Sequence, residues 1–210
     1  MKLLLVGASG LVGSHVLKLA LHDPRISEVV APSRRALPAH AKLHNPIVNF
    51  EDLPESASWW QGIDVVICTL GTTMKSAGSK KMFFRVDHDY PLAFAQIARR
   101  HGTATYVLNS AMGADASSRF FYNKVKGELE RDLAALGFRS FTAVRPGLIG
   151  GKRSEFRFGE SILATILDGL KPILPRRWRI SPASHIAITL IEEAVNPAPG
   201  IHVISADRLA

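Results

Sequence analysis

The chain has 210 residues, 47% hydrophobic and 21% charged, which is the make-up of one globular domain able to bury its own core. Its single cysteine excludes an internal disulfide, and a net charge of +8 favours anionic ligands. No apolar run approaches the ~18 residues of a membrane span, and "MKLLLVGASG" meets its glycines too early for a signal peptide, so the cytoplasm is the default compartment.

In chain order, "KLLLV" reads as a first strand, followed by a helix from Leu11 to His22. "SEVVAPS" predicts a second strand, "NPIVNF" a shorter third and "DVVICTLG" a fourth that holds Cys68 as an inert core thiol. The stretch "SKKMFFRVDHDYPLAFAQIARRHG" is helical in two pieces, with Pro91 opening the second and Gly102 ending it. "TATYVLNS" is a fifth strand, a helix runs from about Ser118 to Leu136, and "SFTAVRP" is a sixth strand. Helices near Glu160–Asp168 and Ala183–Val195 and a strand at "GIHVIS" complete the pattern. Such alternation predicts an α/β fold, a doubly wound parallel sheet of Rossmann-like type. One domain spans residues 1–210, with 151–210 as a small elaboration on the substrate side.

"VGASGLVG" sets Gly7, Gly10 and Gly13 three apart where the first strand hands over to the first helix. The first N–H groups of a helix lack internal partners and its dipole is positive at that end, so a pyrophosphate can sit there if no Cβ intervenes. Gly7 permits the tight turn, Gly10 the close approach and Gly13 the contact between helix and strand; Ser9 and Leu11 belong to the same cofactor-binding turn. The spacing is G-x-x-G-x-x-G rather than G-x-G-x-x-G, so its meaning comes from its setting. An NAD site places an acid about 20 residues on, at the end of the second strand. Here that end reads Pro32-Ser33-Arg34-Arg35, and guanidinium and hydroxyl groups suit a 2′-phosphate. NADP(H) is therefore the expected cofactor, ahead of NAD.

"FFYNKVKGELE" carries Tyr122 and Lys126 four apart on one helix face, and Ser110 ends the fifth strand. Reduction of a carbonyl needs a proton donor at the oxygen. A tyrosine with pKa about 10 is a poor base unless an ammonium lowers it. Tyr122 is thus the expected acid/base, Lys126 its tuner and holder of the nicotinamide ribose, and Ser110 the anchor of the substrate oxygen.

"GASGLVG", "SAMGAD", "YNKVKGELE" and "FTAVRPGLIGG" together resemble the short-chain dehydrogenase/reductase superfamily. More narrowly they resemble its atypical branch, the small NAD(P)-binding oxidoreductases related to the human Tat-interacting protein oxidoreductase. The resemblance runs from Lys2 to about Gly151. It implies that Gly7, Gly10 and Gly13 face pyrophosphate and that Ser33, Arg34 and Arg35 face the adenosine phosphate. It further implies that Leu70, Gly71, Thr72 and Thr73 border the ribose, that Ser110, Tyr122 and Lys126 form the active-site triad, and that Pro146 and Gly147 lie beside the nicotinamide. Two departures stand out. The acid expected near the adenine appears as Asn49. The asparagine of a fourfold catalytic set has no clear counterpart, with Asp87 and Asn109 as candidates.

The expected partner is a small carbonyl or alcohol. A nicotinamide-binding regulator without turnover and a sugar-nucleotide epimerase are the alternatives, the latter disfavoured by the short chain after Gly150. Nucleic acid binding through "PRRWR" and Trp178 is less favoured, and no membrane contact is expected. A homo-oligomer stays open. His40 and His44 lack a third metal ligand, so no metal site is expected. Trp59 and Trp60 are read as packing against the sheet edge.

Overall fold

The computed structural model describes residues 1–150 and 181–209, so the helix expected near Glu160–Asp168 and the "PRRWR" segment lie outside the described residues. Strand β1 (Lys2–Val6) leads through helix α1 (Leu11–His22) to β2 (Glu28–Val30), β3 (Leu43–His44) and β4 (Val65–Cys68). Helices α2 (Met74–Ala77), α3 (Lys80–Phe84) and α4 (Tyr90–Arg100) lead to β5 (Thr105–Asn109). Helix α5 (Phe121–Ala135), β6 (Ser140–Arg145) and β7 (Ile149–Gly150) follow, and β8 (Ser181–Pro182), α6 (Ala183–Val195) and β9 (Gly200–Ser205) lie beyond residue 180.

Seven strands form one sheet in the order β3-β2-β1-β4-β5-β6-β9, with every neighbouring pair parallel. The chain travels outward from β1 to β3, then restarts at β4 on the other side of β1. The carboxyl ends of β1 and β4 therefore flank the switch point, where this topology leaves a crevice. Alternation along β1 builds both layers of core. Leu3 and Leu5 point toward α1 and α6 with Val29, Ile67 and Val107, whereas Leu4 and Val6 point toward α4 and α5 with Val66, Cys68 and Leu108. Residues 181–209 thus supply a helix and a strand to the sheet itself. Trp59 and Trp60 stack at 4.1 Å between ring centres, and the buried Trp60 donates its indole N–H to the Pro54 carbonyl at 2.9 Å.

Three elements depart from the sequence reading. The third strand forms at Leu43–His44 rather than in "NPIVNF", because Pro46 has no N–H to give the ladder. Past it, only a single bridge joins Ser33 to Ile47. The two helical pieces around Pro91 are one continuous helix: Arg85–Asp89 forms a π turn between α3 and α4, closed by the Tyr90 N–H on the Arg85 carbonyl. The wide turn absorbs the donor that Pro91 lacks. Helix α5 starts at Phe121, three residues later than expected, because the loop before it is held by Asp115, which accepts from the Ser117 N–H and hydroxyl at 2.9 and 2.8 Å.

Candidate active site

The carboxyl ends of β1, β4 and β5 open onto a cavity of about 470 Å³. Gly7, Ser9, Gly10, Leu11, Arg34, Leu70, Gly71, Thr72, Ser110, Tyr122 and Lys126 all line it, so one space gathers most of the residues singled out from the sequence. The first turn is built for close approach. Gly7 sits at φ +89°, and the Gly10 N–H closes the turn on the Gly7 carbonyl at 3.0 Å. Helix α1 then begins with no side-chain cap and no acid in its first turn. Its first N–H groups are unclaimed within the helix, and the positive end of its dipole is uncompensated. These residues fit the pyrophosphate of a dinucleotide.

The glycines divide the work. A Cβ on Gly7 falls 2.7 Å from the Leu70 nitrogen, and one on Gly13 falls 2.1 Å from the Gly7 carbonyl oxygen. Both positions are closed by the protein itself. A Cβ on Gly10 meets only the Gly7 oxygen, at 3.3 Å, and otherwise faces the cavity. Gly13 is therefore a packing residue beneath the cradle and does not line the cavity, contrary to what the resemblance implies for it.

At the end of β2 only Arg34 reaches the cavity wall. Ser33 is buried; its hydroxyl donates to the Arg35 carbonyl at 2.5 Å and accepts from Asn45 Nδ2 at 2.8 Å, so it is engaged in holding its own loop. Arg35 is exposed and off the wall. Pro146 is likewise buried behind the wall, its carbonyl accepting from the Met112 N–H at 2.9 Å. None of Ser33, Arg35 and Pro146, all expected to contact the cofactor, lines the cavity.

Tyr122 and Lys126 lie one turn apart on α5 and both face the cavity. Lys126 is 4% exposed and Asp87 1%, and Lys126 Nζ stands 2.8 Å from Asp87 Oδ1. The other oxygen of Asp87 accepts from the Thr72 N–H at 2.7 Å. Burial pulls the Lys126 pKa down, but Asp87 and then Tyr122 outweigh it and hold the amine above its ordinary range. The expected lowering of the phenol does not occur in the protein alone. Tyr122 is 42% exposed, yet the partial desolvation of its phenol against the cavity wall raises its pKa, Lys126 opposes that rise, and Asp87 reinforces it. Desolvation of the phenol outweighs the pull of the ammonium, which Asp87 offsets in part.

Ser110 also differs from its expected role. Its hydroxyl donates to Glu130 Oε1, and Glu130 is clamped by Arg145 through Nη2–Oε2 at 2.5 Å and Nε–Oε1 at 3.0 Å. The proton that could hold a substrate oxygen is thereby pledged to α5. Glu130 follows Lys126 by four residues, so Tyr122, Lys126 and Glu130 form one stripe along the helix.

Asp87 is the residue that sequence reasoning left undecided. It lies in the π turn that precedes Pro91 and is buried against Lys126. Asn49, by contrast, serves its own turn by accepting from the Glu51 N–H at 3.0 Å. Thr73, expected beside the ribose, also lines the cavity, as do Met74, Phe83 and Ile149, which no motif announces. Among the described residues no group of three or more His, Cys, Asp or Glu is placed to hold a metal, and no helix is long and apolar enough to cross a membrane.

Residues 7–157 match a family described as NAD(P)H-binding. "Protein FMP52, mitochondrial" of Eremothecium gossypii is 39% identical over 168 residues, which cover 77% of this chain and 73% of that protein. "Protein HTATIP2" of Rattus norvegicus is 36% identical over 203 residues, covering 93% of this chain and 82% of that protein. Among solved structures, MoeE5 in complex with UDP-glucuronic acid and NAD superposes with a TM-score of 0.75 at 18% identity, over 97% of this chain and 75% of that one. A short chain dehydrogenase family protein from Francisella tularensis gives 0.67 at 13% identity, over 98% and 97%. The expectation of a cytoplasmic protein is overturned here: relatives from Eremothecium gossypii, Emericella nidulans and Candida albicans are named mitochondrial. With the glycine cradle, the parallel sheet and these matches together, the chain belongs to the NAD(P)H-binding family, within the atypical short-chain dehydrogenase/reductases.

Proposed function

We propose that the protein is an NADP(H)-dependent oxidoreductase that reduces a small carbonyl compound. The observation that carries this reading is the single cavity shared by the Gly10 cradle, Arg34, Tyr122 and Lys126. A bound nicotinamide coenzyme supplies the hydride. The chain supplies the rest. The α1 N-terminus binds the pyrophosphate, and Arg34 pairs with the 2′-phosphate that distinguishes NADP from NAD. Tyr122, with its pKa raised by partial desolvation, carries its proton at neutral pH and donates it to the carbonyl oxygen as negative charge develops there. Lys126 stays an ammonium paired with Asp87 and would hold the nicotinamide ribose from one helical turn away. A raised phenol suits the reductive direction. Phe83, Met74 and Ile149 give the substrate side an apolar wall, which suits an aliphatic or aromatic carbonyl.

One observation favours a second reading, a protein that binds the coenzyme without turnover. The Ser110 hydroxyl is engaged with Glu130, so the site has one donor fewer than carbonyl reduction employs at its best. Steady-state NADPH oxidation across a carbonyl panel, alongside calorimetric titration of NADPH, separates the two. The oxidoreductase reading expects turnover that Tyr122→Phe removes by at least about 100-fold, the usual worth of a positioned acid, with coenzyme affinity within about twofold. Tight NADPH binding without oxidation on any carbonyl supports the second reading, and turnover indifferent to Tyr122→Phe rejects the first.

A further inference from the structure

Asn109 ends β5 on the cavity wall, and its side-chain Oδ1 is buried without a hydrogen-bond partner. Folded proteins keep few such atoms, because a buried acceptor that gives up water and gains nothing is destabilising. Among the described residues two other buried side-chain oxygens are unpaired, those of Ser140 and Ser181, and neither lines the cavity. Position along the strand says which part of a ligand Asn109 meets. Val107 packs toward α1 and α6 and Leu108 toward α4 and α5, so Asn109 returns to the α1 and α6 side. Ser110 reaches Glu130 on α5, the helix that also carries Tyr122 and Lys126. Asn109 therefore serves a portion of the ligand turned away from the proton donor.

Every nicotinamide coenzyme carries a primary carboxamide on its reactive ring, and the N–H2 of that group is a donor suited to an orphan carbonyl oxygen. We propose that Asn109 accepts a hydrogen bond from the coenzyme's carboxamide and so selects rings that carry a primary amide. This rests on the coenzyme reading above.

The test uses calorimetric titration of the full chain with NADP+ and with its 3-acetylpyridine analogue, in which a methyl group replaces the amide nitrogen. Wild type should prefer NADP+ by about tenfold, the scale of one hydrogen bond to an otherwise unpaired buried acceptor. In Asn109→Leu, which removes the acceptor at similar size, the preference should fall below about twofold, with the loss confined to NADP+. Melting of the ligand-free Leu variant should match or exceed wild type, since the orphan atom is gone. If that variant does not fold, Asn109→Ala carries the same comparison. An undiminished preference in the variant, or no preference in wild type, overturns the assignment while leaving the coenzyme reading intact. No heat from either ligand in wild type overturns both.

Discussion

A Cβ at Gly13 lies 2.1 Å from the Gly7 carbonyl oxygen, whereas one at Gly10 comes no nearer than 3.3 Å to that atom. Gly13→Ala should therefore fail to accumulate as folded protein. Gly10→Ala should melt within a few degrees of wild type yet bind NADPH at least about tenfold more weakly, because its methyl group occupies the phosphate's approach. Paired thermal melts and titrations check both. Arg34→Ala should weaken NADPH binding by about 10–100-fold, the worth of a charge-assisted bond, and leave NADH binding nearly unchanged. At Asp87 the sign follows from the pair it makes. Lys126, raised by folding, contributes stability at every pH below its ordinary 10.5 and loses it as pH climbs through the higher folded value. Melting temperature should thus decline above pH 10.5 in wild type. Asp87→Asn strands a buried ammonium, at about 3–5 kcal/mol, and removes a charge that raises Tyr122. Its alkaline limb for carbonyl reduction should accordingly move to lower pH. Residue identities were legible in the sequence where a motif required them, as at Gly7, Gly10, Tyr122 and Lys126. The partners that decide their behaviour were not: Asp87 for Lys126 and Glu130 for Ser110 are set by packing between distant segments.

Elements with a strong period were readable to the residue. β1, α1 and α6 occupy the spans that their apolar spacing predicts, since each buries a face against the sheet. Two of the three departures share one cause, a proline that removes a backbone donor. In β3 it was the missing Pro46 donor, and in the long helix the missing Pro91 donor. Loop packing gives a further case at Gly127 of α5, where a Cβ would lie 2.2 Å from both the Ala116 nitrogen and the Asp115 carbonyl carbon. Gly127→Ala gains about 1 kcal/mol of helix propensity, yet the overlap with backbone reverses the sign. A net loss of about 1–3 kcal/mol is expected, read as a fall of about 2–10 °C in melting temperature. Because the displaced loop follows Ser110, turnover should fall in the same variant.

The α/β class and its parallel sheet were legible in the whole-chain alternation, whereas the strand order came only from the three-dimensional pairing. A ligand that binds the folded chain alone stabilises it by about 2.7 kcal/mol at a hundred times its dissociation constant, so saturating NADPH should raise the melting temperature by about 5–10 °C. At the same NADPH concentration Gly10→Ala should show at most about half that rise. The parallel sheet has one more consequence, for how the molecule comes into being. With every neighbouring pair running the same way, no two rungs can be closed by a tight hairpin; β1 must find β4 across the whole of α1, β2 and β3. Assembly is then a search over long loops, slow compared with that of a helical bundle of equal size. Strand β9 comes late in the chain and pairs with β6 at the outer edge of the sheet, so the glycine cradle between β1 and β4 can form before that edge is complete.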